Sequence, residues 1–160
     1  MLAEHVIENA DHNGGPAAPP IARAVAVAKA RKGEDVFGAQ DVRELAEILT
    51  LGGRTFQLVR PGVVCTKQVQ QAGACNKKVG RPEPSRCRSA CSYRLEDAAN
   101  RVDVDGAIAE SVSNYEKAKF NKDEIQEALW EGQIRTHLPR FDDLRIKWSQ
   151  HPVVASLLAT

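Results

Sequence analysis

Residues 65–91 read CTKQVQQAGACNKKVGRPEPSRCRSAC, and they hold all four cysteines of the 160-residue chain. Gly73, Gly80, Pro82 and Pro84 forbid regular structure through the middle of this stretch. A loop of this length inside a compact domain needs something to organise it. Four sulfurs on one metal ion would do so. The spacing is C-x9-C-x11-C-x3-C. Zinc takes four ligands at tetrahedral corners, and thiolate is a preferred soft ligand for it. Cys65, Cys75, Cys87 and Cys91 are therefore the expected ligands of a structural zinc ion. Cys87 and Cys91 stand four apart. A helix starting near residue 85 would present both from one face of its first turn, where free amides favour thiolate. Two disulfides, an iron–sulfur cluster and uncommitted thiols stay open as alternatives. The absence of a C-x2-C pair counts against the commonest zinc knuckle and against most iron–sulfur runs. A four-thiolate site is closed, so it clamps structure and leaves no position for a reacting water.

The same stretch is the most basic part of the chain. Between Arg60 and Arg94 there are eight lysines and arginines against one acid, Glu83. The segment carries +7, and with a net charge of +1 the remainder carries −6. Such a split places an anion-facing surface on an acidic body. Lys67, Lys77, Lys78, Arg81, Arg86 and Arg88 are the expected contacts to nucleic-acid phosphates. The plainer reading is that these charges only solubilise a loop with no apolar face.

Outward from the loop, the chain reads as four segments. Residues 1–20 are a short amphipathic piece followed by a linker, because Asn13-Gly14-Gly15-Pro16 and Pro19-Pro20 break any helix. Residues 21–52 are helical: one helix over 21–31 stopped at Gly33, and a second opened by the capping box Asp41-Val42-Arg43-Glu44. Residues 53–94 form a β-hairpin, with Thr55–Val59 and Val63–Thr66 joined at Pro61-Gly62, plus the basic four-cysteine module. Residues 95–160 are helical, interrupted near Asp105-Gly106, capped again at Asn121-Lys122-Asp123-Glu124, and ended or kinked at Pro139. Ile125, Ala128, Leu129 and Gly132 make the expected packed face of the helix after that second cap. The fold class is thus mainly α: a helical domain with a short β-hairpin and a four-cysteine, zinc-stabilised loop.

Other groups carry less chemistry. His137-Leu138-Pro139-Arg140 has the His-x-x-Arg spacing of tyrosine recombinases, but no tyrosine follows Tyr115. Asp103-Val104-Asp105-Gly106 opens like a calcium loop, yet Ala107 and Ala109 stand where oxygen ligands are needed. Gly52-Gly53-Arg54 lacks the Lys-Ser/Thr of a phosphate loop. No catalytic set emerges, so no enzyme is expected. The acidic opening has no apolar core of a signal peptide, and no apolar run reaches the roughly 20 residues of a membrane span. A cytoplasmic protein without a membrane partner is expected.

The stretch from Gly53 to Lys67, GRTFQLVRPGVVCTK, with Gly80-Arg81-Pro82-Glu83-Pro84-Ser85-Arg86-Cys87, resembles a cysteine-rich C-terminal region of bacterial integrase-like proteins of mobile elements. The resemblance extends over residues 40–158. It implies DNA integration or recombination as the setting and a recombinase as a partner. It supplies no catalytic residue, because the recombinase Arg, His and Tyr set cannot be placed here. An accessory part or a piece of something larger would suit the apolar last residues, Val153 to Leu158. The expected function is a zinc-stabilised, non-catalytic accessory DNA-binding module. A protein–protein interaction module with structural zinc, or a thiol redox switch, is the alternative.

Overall fold

The computed structural model describes residues 2–68, 70, 75, 84 and 87–160. The chain divides into two compact units, Met1–Ala98 and Ala99–Thr160.

The first unit holds helices α1 (Leu2–Glu8), α2 (Ala18–Lys32) and α3 (Ala39–Leu51), and strands β1 (Gln57–Arg60), β2 (Val63–Cys65) and β3 (Arg94–Glu96). Helix α2 starts earlier than its apolar spacing predicts. Pro19 and Pro20 fall in its first turn, where a missing amide costs nothing and the fixed φ suits a helix. It ends as expected at Gly33, whose φ of 98° lets its amide return to the Lys29 carbonyl. Asp41 does cap α3, but from inside the helix. The helix begins at Ala39, and the Asp41 carboxylate accepts from the Gly38 amide at 2.9 Å. That bond, with Lys32 beside it, holds the Asp41 carboxyl below the ordinary carboxylate value.

The strands form one antiparallel sheet in the order β1-β2-β3. The β1–β2 hairpin turns at Pro61-Gly62, as its residues predict, with Gly62 at a φ of 73°. β3 was not expected: Leu95, Ala98, Ala99 and Val102 have helical spacing. Its register with β2 sets Val63 opposite Glu96, Val64 opposite Leu95, and Cys65 opposite Arg94. Side chains alternate along a strand. Val64 and Leu95 join the core with Val6, Ile7, Ile21, Val25, Val42 and Ala46 from the helices. Cys65, Arg94 and Glu96 consequently take the other face, and all three are buried there.

The stretch read as a linker is a third partner for this sheet. Gly14 exchanges both backbone bonds with Glu96, at 2.9 and 2.8 Å, and the Ala17 amide donates to the Arg94 carbonyl. A spacer has no reason to do this; the glycines are there because the backbones must approach closely. At Gly15 the φ is +83°, and a Cβ would lie 2.8 Å from the Arg94 carbonyl oxygen. Gly15→Ala is expected to destabilise this unit by about 1–3 kcal/mol. The chemical-denaturation midpoint checks it, since an unchanged midpoint would mean the turn relaxes freely. His5 on α1 adds a further tie, with its Nε2 3.0 Å from Asp97 Oδ2.

The second unit holds α4 (Arg101–Phe120), α5 (Glu124–His137), α6 (Asp142–Ser149) and α7 (Pro152–Leu158). Its core draws Val104, Ile108 and Val112 from α4, Ile134 from α5, Leu138 and Phe141 from the turn after it, Leu144 from α6, and Val154 and Leu157 from α7. Asp105-Gly106 does not interrupt α4, which runs through it. Asp105 instead accepts from Lys147 Nζ at 2.8 Å and Trp148 Nε1 at 2.7 Å, and Lys147 foremost lowers its pKa. The second cap acts through Asp123, which accepts from the Gln126 amide at 3.1 Å.

Helix α5 corrects the expected face. Ile134 is buried and Glu127, Trp130 and Glu131 are half-buried, so that side packs inward. At 100° per residue, Ile125, Leu129, Gly132 and Thr136 lie on the opposite side. All four are exposed, Ile125 at 80% and Leu129 at 48%. Ala128 is exposed as well, so the expected face of Ile125, Ala128, Leu129 and Gly132 points out.

Candidate functional site: the buried face of the sheet and its cysteines

Thr66 leaves β2 with its amide and hydroxyl both donating to the Tyr93 carbonyl, at 2.8 Å each. The Thr55 amide and hydroxyl donate to the Lys67 carbonyl, at 2.9 and 2.7 Å. The segment between β2 and β3 is thus rooted at both ends on the sheet. Cys65 sits at the end of β2 and Cys91 in a turn closed by its own amide on the Arg88 carbonyl. Cys87 lies just before that turn, its amide on the Pro84 carbonyl.

Cys65, Cys75 and Cys91 are buried and Cys87 is half-buried. No disulfide joins them. Among the described residues, no three of His, Cys, Asp and Glu stand together as a metal-binding group. Burial raises the Cys65 thiol above the ordinary 9.0, the Lys67 amide opposes this, and the thiols of Cys91, Cys75 and Cys87 raise it further.

Among the described residues, no helix runs through Cys87 and Cys91. Turns occupy 89–90 and 92–93, and β3 follows. The cation beside Cys87 is Arg94, which sequence reasoning did not single out. Its Nε donates to Glu96 Oε1 at 2.7 Å, and its Nη1 points at Cys87 Sγ from 3.9 Å. The register explains the geometry: Arg94 is directly across from Cys65 and two residues from Glu96, so all three share a face. Burial pushes the Cys87 thiol up on balance; Arg94, and more weakly Arg60, pull it down. The signal that could have located Arg94 and Glu96 is the polar–apolar–polar alternation Arg94-Leu95-Glu96, the period of a strand.

The basic residues divide. Arg88 is exposed. Lys67 is 1% exposed, so among the expected surface contacts it is a buried side chain. Lys77, Lys78, Arg81 and Arg86 lie outside the described residues. His137 and Arg140 do touch, Nδ1 to Nη1 at 3.3 Å. No helix among the described residues is long and apolar enough to cross a membrane. Comparison with protein-family models, with curated proteins and with solved structures gives no match.

Proposed function

We propose that the chain is a non-catalytic accessory module that contacts DNA through its basic segment, with a structural zinc ion on Cys65, Cys75, Cys87 and Cys91. One observation carries the reading. All four cysteines, three of them buried, lie within the most basic segment of the chain, and Cys87 stands next to a buried guanidinium. Burial alone makes thiolates unfavourable, and a divalent cation is the ordinary means of keeping buried sulfurs deprotonated. Zinc would draw the four sulfurs into a tetrahedron. Its four thiolates would carry a net charge of about −2 around the ion, which the Arg94 guanidinium offsets at Cys87. The resemblance to integrase-like proteins of mobile elements supplies the setting, DNA integration or recombination beside a recombinase.

The zinc-loaded protein is expected to bind duplex DNA with a steep salt dependence. If Lys77, Lys78, Arg81, Arg86 and Arg88 each neutralise one phosphate, the slope of log K against log salt is about −4.5. Affinity then falls roughly 500-fold between about 50 and 200 mM salt. Fluorescence anisotropy across a salt series measures this. Absent or salt-insensitive binding overturns the DNA reading.

A further inference from the structure

The β1–β2 hairpin carries one irregularity. Gln57 stands opposite Cys65 and Leu58 opposite Val64, but the next pair is Arg60 with Val63. Two steps along β1 match one along β2, so Val59 is an extra residue, a β-bulge.

The bulge decides which face Arg60 takes. Residues paired on neighbouring strands share a face of the sheet, and faces alternate along a strand. Leu58 therefore shares the face of Val64, which is the core face. Unbroken alternation would put Arg60 there too. The extra residue turns it over. Arg60 shares instead the face of Val63, which is also that of Cys65, Arg94 and Glu96. Pro61 comes next and restricts the Arg60 backbone to extended conformations, so the residue is held in that direction.

Arg60 is exposed, and among the described residues it makes no hydrogen bond or ion pair. Glu96, the acid in the same row across the sheet, is two strands away and bound to Arg94. The Arg60 charge is felt at Cys87, whose thiol it pulls down. Among the described residues from Arg60 to Arg94, Arg60 and Arg88 are the exposed cations, while Lys67 and Arg94 are buried.

Building on the DNA reading above, we propose that Arg60 is a further phosphate contact, set by the bulge on the sheet face that carries Cys65 and Arg94. A guanidinium offers a phosphate two parallel hydrogen bonds, which suits an uncommitted arginine on a strand. Exposure alone does not select it. Arg31 is exposed as well, but it lies on α2, which packs against the opposite face of the sheet through Ile21 and Val25. The interaction surface therefore extends from the basic segment onto the hairpin itself.

The test is fluorescence anisotropy of the zinc-loaded full chain on a duplex DNA over a salt series. A sixth phosphate contact takes the slope of log K against log salt from about −4.5 to about −5.4 in the wild type. Arg60→Gln should return it to about −4.5 and weaken binding roughly eightfold at about 0.1 M salt, equally on unrelated duplex sequences. Arg60→Lys keeps the charge and should keep the slope. Exchanging the two residues, Leu58→Arg with Arg60→Leu, keeps charge and composition but moves the guanidinium to the opposite face. That variant should behave like Arg60→Gln. Arg31→Gln should leave the slope at its wild-type value. All three positions are exposed, so the melting of each variant should match the wild type. A wild-type slope in Arg60→Gln or in the exchange variant overturns the proposal and leaves the DNA contacts on the segment alone. An equal fall in Arg31→Gln, or a fall in Arg60→Lys, also overturns it. A wild type that does not bind the duplex overturns the DNA reading together with this contact.

Discussion

Glu96→Ala is expected to destabilise the Met1–Ala98 unit by about 3–5 kcal/mol, the usual cost of removing one partner from a buried ion pair. Arg94 and Glu96 have side chains only 6% and 1% exposed, and they meet at 2.7 Å. Losing the carboxylate strands the guanidinium beside Cys87, where a sulfur at 3.9 Å is a poor substitute. The size of the loss is a statement about the stranded charge, not about what the pair adds. A double variant, Arg94→Met with Glu96→Gln, removes both charges and should recover much of the loss. Urea denaturation of the three proteins measures the difference. If the single and double variants unfold at the same midpoint, the cost lies in packing rather than in the unpaired cation.

Chelation has the second large expected effect. Protein purified without added zinc should contain about one zinc per chain, and its four thiols should resist a thiol reagent until a strong chelator is added. After chelation all four should react, and the melting midpoint should fall. The first unit keeps its own apolar core, so it should not unfold outright. The loss should centre on the segment between β2 and β3 and amount to several kcal/mol, below the roughly 10–16 kcal/mol by which zinc holds peptides that have no other core. Cys91→Ser should reproduce the chelated state without chelator. Metal-free protein whose thiols react at once would remove zinc from the account. DNA binding that survives chelation unchanged would detach the basic residues from the metal.

Local signals explain which parts of this fold were legible. The stop at Gly33 and the turn at Pro61-Gly62 act within four residues of themselves, so they can be read without tertiary context; the box at Asn121–Glu124 marked the right helix start but put its cap two residues before Asp123. Asp41 was read as a cap and is one, but displaced by a position class, because either end of the Gly38–Asp41 bond could have been the start. β3 was hidden. It has three residues, and Leu95 is in step with Ala98 and Val102 by accident of spacing. What makes it a strand is pairing with Val63–Cys65 and with Gly14, more than 80 residues away, and no local pattern encodes that partner. The linker reading failed for the same reason, since glycines that break helices also permit close backbone approach. Lys67 shows a limit of charge counting: a lysine in a basic stretch is assumed to reach water unless burial is known. In α5 the apolar period was read correctly and its direction was not, because Glu127, Trp130 and Glu131 pack inward along their stems while the cleaner stripe is left outside.

The pairing of Cys65 with Arg94 also bears on how this chain could change over time. Two residues paired across antiparallel strands are about 5 Å apart at their Cα atoms. The chain between them is an excursion whose two ends lie side by side on the sheet. Its ends are already closed by β2 and β3, so its length is nearly independent of the rest of the fold. Doubling it would add only about 0.6 kcal/mol of closure entropy. The excursion can therefore lengthen, shorten or exchange its basic residues while the six sheet positions at its base stay fixed. A scaffold of this kind keeps one root while the chain between its ends varies.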